Sequence, residues 1–278
     1  MKALQQLLAR ARWRERPRLP FLVGQRPVGS VDASHVPALQ PFSRWLRVHG
    51  QQIELLDTPA RDSALATMNA ALREQGLIRA WRDETFALFE PQTLQPLALM
   101  ERAATRFWGT LTLGAHATGF VRGEGGQVAA LWIARRADDK ATDPGLLDNL
   151  IGGGVPHTQS PREALLREAW EEAGLTPAQA EAAEARSVLV LERDIPEGLQ
   201  HEQLHSFDLE LPPGLQPRNQ DGEVQSFTLM PPAQVLQHMA AGEMTVDAAV
   251  VTLDFLLRHR LLEPEPALVA AMHRLSLR

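Results

Sequence analysis

The chain has 278 residues, 44% of them hydrophobic and 22% charged, with a formal net charge of −6. That length can bury one large core or two ordinary ones, and the acidic balance argues against a nucleic-acid partner, which would need excess basic charge to displace counterions. There is no cysteine, so disulfides, thiolate metal sites and a cysteine nucleophile are excluded.

The first residues, MKALQQLLARARWRERPRLP, are basic and partly apolar. Their apolar stretch is too short and interrupted for a secretory leader, and no small-residue cleavage site follows. They read as an amphipathic helix packed on its own domain. No run approaches the roughly 20 apolar residues of a membrane span, so a soluble cytoplasmic protein with no membrane partner is expected. Asp62 or Ser63 can cap a helix from about Ala64 to Gln75, with Gly76 placed to end it. Residues 77–90 read as two short strands around the turn Arg82-Asp83-Glu84. No site chemistry gathers in this first part.

From about Ala103 the character changes. Segments 107–121 and 128–134 read as strands joined by the turn at 122–126, and a charged loop then leads into GLLDNLIGGG at 145–154. An acidic helix follows. Strands are expected at 186–192, 203–211 and 224–230, then helices at 231–241, at 246–260 and after Pro266. That order fits a mixed sheet with helices packed on it, an α+β chain. No internal repeat or low-complexity segment interrupts it.

The acidic helix carries the most information. Ser160-Pro161-Arg162-Glu163 is a capping box with proline at the first helical position, and Gly174 suits the left-handed end, so the helix spans Pro161 to Ala173. Leu165, Leu166, Ala169, Trp170 and Ala173 form its apolar stripe. Glu168, Glu171 and Glu172 then point largely away, on a surface or cleft side. Like charges at i, i+4 cost about 0.2–0.5 kcal/mol, and the helix C-terminus disfavours negative charge. Stability alone does not select this cluster. A solvated acidic face is the plain reading. A hard cation such as Mg²⁺, which binds through a couple of carboxylates plus water and substrate phosphate oxygens, is the functional one.

The segment from Gly153 resembles the signature of the Nudix hydrolases, G-x5-E-x7-R-E-U-x-E-E-x-G-U with U aliphatic. Gly153, Arg167, Glu168, Ala169, Glu171, Glu172, Gly174 and Leu175 match, and Gln159 departs, standing where the family has glutamate. The motifs HATGFV (116–121), LWIARR (131–136), PGLLDNLIGGG (144–154), DGEV (221–224) and LDFLLRH (253–259) are similar to the branch associated with thiamine pyrophosphokinases. The resemblance implies a Nudix fold, an α/β/α sandwich with a mixed sheet, over residues 111–278. A smaller α+β domain of unassigned function precedes it over 1–110. It implies Mg²⁺-dependent hydrolysis, with Mn²⁺ able to substitute, of a small-molecule diphosphate. The substrate implied is thiamine diphosphate or its oxidised or damaged analogues, cut to the monophosphate and phosphate.

Carried over by residue, the resemblance makes Glu168 and Glu172 the main metal ligands, with Glu171 assisting and the Gly152 carbonyl adding a further oxygen. Arg167 pairs with a carboxylate and fixes its orientation. The Gln159 amide can still bond near the helix start. Glu223, in the DGEV loop, is either general base or extra metal ligand, or else a turn residue on the surface. His116, Arg135, Asp148 and Asn149 are candidate substrate contacts, weighed against a satisfied core histidine, a solvated arginine, and capping or turn duty. Trp108 and Trp132 can stack on a substrate ring or belong to the core. His201, Glu202 and His205 read as a polar loop. Three other readings stay open: hydrolysis of ADP-ribose or nucleoside diphosphates, an isomerase, and a non-catalytic diphosphate-binding module. The isomerase of this fold uses a cysteine that this chain lacks. Only Gln159 speaks for the binding module. Many relatives dimerise, which leaves a homodimer open, although no self-complementary face is visible.

Overall fold

Apolar residues in the first half of the chain gather around their own core. The computed structural model describes residues 1–277. Helix α1 (Lys2–Arg10) leads to strands β1 (Arg18–Val23) and β2 (Arg26–Asp32), a 3-10 segment over Ala33–Phe42, then β3 (Leu46–His49) and β4 (Gln52–Leu55). These strands order as β2-β1-β4-β3, with β1 and β4 parallel. Helix α2 (Arg61–Glu74), the hairpin of β5 (Thr85–Phe89) and β6 (Pro96–Glu101), and the short α3 (Arg102–Trp108) complete the unit. Phe21, Ile53, Met68, Phe107 and Trp108 fill its centre. The Trp108 indole N–H donates to Asn69 at 2.8 Å in a fully buried position, so this tryptophan serves the core.

Several boundaries depart from expectation. Helix α2 starts at Arg61, and the Asp62 carboxylate accepts from the Leu99 backbone N–H of β6 at 2.8 Å instead of capping its own helix. Residues 77–84 are not a strand, because Ala80 and Asp83 take positive φ and break the extension. The partner of β5 is β6, further along the chain. Phe107 and Trp108 close α3 instead of opening a strand; Gly109 caps that helix at φ 58°, and the strand starts only at Leu111. Helix α1 buries Leu4, Leu7 and Leu8 among the C-terminal helices, not on the N-terminal unit.

The second half contains β7 (Leu111–Arg122), β8 (Val128–Arg136), β9 (Leu147–Asp148), β10 (Ile151–Gly154), helices α4 (Pro161–Ala173) and α5 (Pro177–Ala180), and β11 (Glu184–Ile195). β12 (Gly198–Glu210), β13 (Val224–Met230) and helices α6 (Pro232–Ala241), α7 (Val246–Arg258) and α8 (Pro266–Leu275) follow. The sheet runs β11-β12-β7-β8-β13, mixed because β12 lies parallel to β7. Alternation along β8 shows the layering: Leu131 and Ile133 join the core under α1, α6, α7 and α8, while Trp132 joins the core under α4. Helices therefore cover both faces, an α/β/α arrangement. The hairpin of β11 and β12 is longer than expected, and His201, Glu202 and His205 lie in strand β12, not in a loop. One edge of β7 is shared: β10 pairs with its first half and β8 with its second. That split places the glycine strand β10 in the sheet beside β7, packed against α4.

Candidate active site

Helix α4 forms where its local signals place it. The Ser160 hydroxyl accepts from the Glu163 N–H at 3.3 Å, the Glu163 carboxylate accepts from the Ser160 N–H at 2.7 Å, and Gly174 ends the helix at φ 64°. Its facing differs from the expectation. Ala164, Leu165, Ala169 and Ala173 are buried, but Trp170 is 53% exposed, while Glu168 and Glu172 are only 8% and 6% exposed. The Ala164–Glu168–Glu172 row, one helical turn per step, is turned inward against β10. Glu171 lies on the half-buried flank.

The inward carboxylates are held by backbone and by one arginine. The Gly152 N–H donates to Glu172 Oε2 at 2.9 Å. A Cβ on Gly153 would stand 2.1 Å from Glu168 Oε1, so glycine is required for this approach. Arg167 donates to Glu168 at 2.8 Å, to Glu171 at 2.6 Å, and to the Gln159 side-chain oxygen at 3.2 Å. Burial, reinforced by the charge of Glu168, pushes the Glu172 carboxyl well above the usual carboxylate range. Burial also raises Glu168, although the charge and hydrogen bond of Arg167 oppose it. Lys140, whose charge acts on Glu172, is paired with Glu223, which also accepts from Arg82 at 3.2 Å. Burial alone would raise the Glu223 carboxyl, but Lys140 and Arg82 outweigh it and hold the group below its ordinary value.

Two buried like charges beside a glycine strand form a hard-oxygen donor set that a divalent cation would relieve. Among the described residues no three acidic or imidazole side chains converge closely enough to enclose an ion. A cation here would complete its shell with backbone, water and substrate oxygens, as Mg²⁺ commonly does. The residues present fit such an ion.

Gly152, Gly153 and Gly154 border a polar cleft of about 80 Å³. His116 and Asp148 line it. The His116 Nδ1 is 3.1 Å from Asn149 Oδ1, and the Asn149 amide donates to Thr252 Oγ1 at 2.9 Å. Asn149 therefore ties His116 to α7 and does not itself line the cleft. Asp148 accepts from Arg136 at 2.9 Å. Arg136 faces the cleft, whereas Arg135 is exposed and donates to the Gly145 carbonyl at 2.7 Å, outside it. Trp132 is buried under α4 and away from the cleft, with an indole N–H that finds no partner among the described residues. Arg102, Arg106 and Arg193 also line the cleft. No local signal marks them, because α3 and β11 bring them in from distant parts of the chain; only the charged loop 135–144 hinted at Lys140.

Residues 112–251 match the NUDIX domain model, and residues 2–112 match the model of a domain of unknown function (DUF4743). The chain is 34% identical to Nudix hydrolase 24, chloroplastic, of Arabidopsis thaliana, over 89% of this chain and 69% of that protein. It is 37% identical to Nudix hydrolase 20, chloroplastic, of the same plant, with the same coverage. Among solved structures, DR0079 from Deinococcus radiodurans aligns with a TM-score of 0.46 at 21% identity, covering 61% of this chain and 98% of that one. The fold and site define a hydrolase of diphosphate bonds built on an α+β Nudix fold. The chain belongs to the Nudix hydrolases, which act on small-molecule diphosphates and generally use Mg²⁺ or Mn²⁺. No helix among the described residues is long and apolar enough to cross a membrane.

Proposed function

We propose that the enzyme hydrolyses thiamine diphosphate and its oxidised or damaged analogues to the monophosphate and phosphate. The observation that carries the hydrolytic site is the pair of carboxylates, Glu168 and Glu172, buried together against the glycine strand that also borders an arginine-bearing cleft. In this reading Glu168 and Glu172 hold Mg²⁺, with Glu171 and the Gly152 carbonyl assisting. When bound, the ion neutralises phosphate charge and acidifies water. Arg167 keeps Glu168 and Glu171 oriented. Glu223 enters as an additional ligand more readily than as general base, because a carboxyl held below its ordinary value accepts a proton poorly. His116 and Asp148 meet the substrate at the cleft wall, Asn149 braces His116, and Arg136 takes the part expected of Arg135.

The thiamine reading rests on the softer motifs along the chain and on the mixed lining of the cleft. Asp143, Glu202 and Asp247 face it alongside the arginines. That mixture suits a ligand with an anionic diphosphate and a cationic ring, which ADP-ribose does not offer. A panel with Mg²⁺ or Mn²⁺ tests it, comparing thiamine diphosphate, its oxo and oxy analogues, ADP-ribose and nucleoside diphosphates. The thiamine compounds should give the highest kcat/KM; a wide preference for ADP-ribose would sink the substrate assignment. Glu172→Gln should lower kcat by roughly 100-fold or more, since even groups behind a metal ligand cost up to about that factor. Near-normal turnover with the fold intact would remove Glu172 from the metal site.

A further inference from the structure

Taking the cleft as the diphosphate site, we infer that the N-terminal unit supplies part of it: Arg106 of α3, with Arg102 beside it, grips the substrate phosphate that lies away from the α4 carboxylates. Both side chains line the same cleft as Gly152 to Gly154. The cations around that cleft differ in how far they are already engaged. Arg136 is paired with Asp148 at 2.9 Å, Arg193 donates to Gln200 at 2.7 Å, and Arg102 donates to Glu84 at 3.0 Å. Arg106 is half-buried, yet its side chain makes no hydrogen bond or ion pair among the described residues. A guanidinium that lines a cleft without a protein partner is free to take a ligand, and its planar fork matches two phosphate oxygens.

Close packing fixes the backbone of α3. A Cβ on Gly198 would lie 2.1 Å from the Arg106 carbonyl oxygen, so α3 is pressed against the start of β12. At the other side, a Cβ on Gly154 would meet the Phe86 ring at 2.8 Å and the Arg102 guanidinium at 3.2 Å. The His157 N–H, just past the glycine strand, donates to the Thr85 carbonyl of β5 at 3.0 Å. Arg82, from the same unit, reaches Glu223. The N-terminal unit is thus seated on the glycine strand and forms one wall of the cleft. Its role in this inference is substrate recognition, and the ligand class is the terminal phosphate of an organic diphosphate.

Inorganic diphosphate, titrated calorimetrically into the full chain with EDTA present, reads the phosphate contact apart from turnover. Arg106→Gln should weaken binding about tenfold or more, as expected for losing hydrogen bonds to a charged group, and Arg106→Lys should recover only part of it. Melting temperatures should match the wild type. In steady state with the best diphosphate substrate, KM should rise in the same proportion while kcat stays within about twofold, the mark of lost uniform binding. Unchanged inorganic diphosphate binding and unchanged KM in a folded Arg106→Gln would overturn the inference, as would a wild type that binds no inorganic diphosphate. Glu172→Gln keeps the two readings separate: it should lower hydrolysis by roughly 100-fold or more and leave metal-free binding intact. A wild type that hydrolyses no diphosphate, but loses inorganic diphosphate on Arg106→Gln, would defeat the proposed function and leave this inference standing.

Discussion

A carboxylate buried beside another carboxylate is an unfavourable arrangement, and Glu172 beside Glu168 is one. Spacing alone places the two on one helix face; it does not show that the face turns inward. Only the approach of β10 shows that, because Gly153 leaves room for the Glu168 carboxylate and the Gly152 N–H meets Glu172. Gly153→Ala should therefore act on the site more than on the fold. The added Cβ would force the Glu168 carboxylate aside, and kcat and metal affinity should fall roughly 10- to 100-fold, the range seen when the support of a ligand is disturbed. Isothermal titration with Mn²⁺ and steady-state rates check this; normal values for both would show that the carboxylate tolerates displacement. Glu223 illustrates what a sequence hides at this scale. Its DGEV context drew attention to it, but the partners that hold its pKa down, Lys140 and Arg82, lie far away in the chain.

At the scale of single elements, legibility followed locality. Helix α4 was readable to its ends because its start and stop are set by adjacent residues: Ser160 with Glu163, Pro161, and Gly174. Ser160→Ala removes one half of that box and should cost about 1 kcal/mol. A denaturant midpoint measures it, and an unchanged midpoint would mean the cap is redundant with the packing of Ala164 and Leu165. Strand β13 was likewise read from its alternation. The segment 77–90 holds one of the two expected strands: β5 forms after the turn, whereas Ala80 and Asp83 at positive φ prevent the strand expected before it. Helix α3 was missed because its apolar residues Phe107 and Trp108 look like the opening of the strand that follows; the decision lies in the left-handed Gly109 and in a core formed by Phe21 and Asn69.

Across the whole molecule, long-range ion pairs and helix docking bind the sheet to its covering layers. Asp208 on β12 is 3% exposed and accepts from Arg258 of α7 at 2.7 and 2.8 Å, from His259 at 2.9 Å and from Arg186 of β11 at 3.0 Å. Burial alone would raise its pKa, but the hydrogen bonds of Arg258 and His259 outweigh it and the group is lowered from 3.8. A lowered carboxyl contributes stability that is present above its unfolded value and lost as pH falls through its folded value, here below 3.8. Asp208→Asn should cost about 2 kcal/mol near neutrality, from hydrogen bonds to charged groups, and the gap from wild type should shrink in urea titrations carried below that pH. A gap that stays constant with pH would assign the loss to packing.

The chain by itself determined the family signature, the span of α4, the carboxylate residue types of the candidate site and the order of strands and helices in the second half. Each of these rests on neighbours in sequence or on a short period. Tertiary structure alone decided that the acids face inward, that α1 docks on α6 to α8, that Arg136 and not Arg135 faces the cleft, and that α3 brings Arg102 and Arg106 to it. These features depend on which surfaces meet when two cores pack together, and residue spacing along one chain carries no record of that.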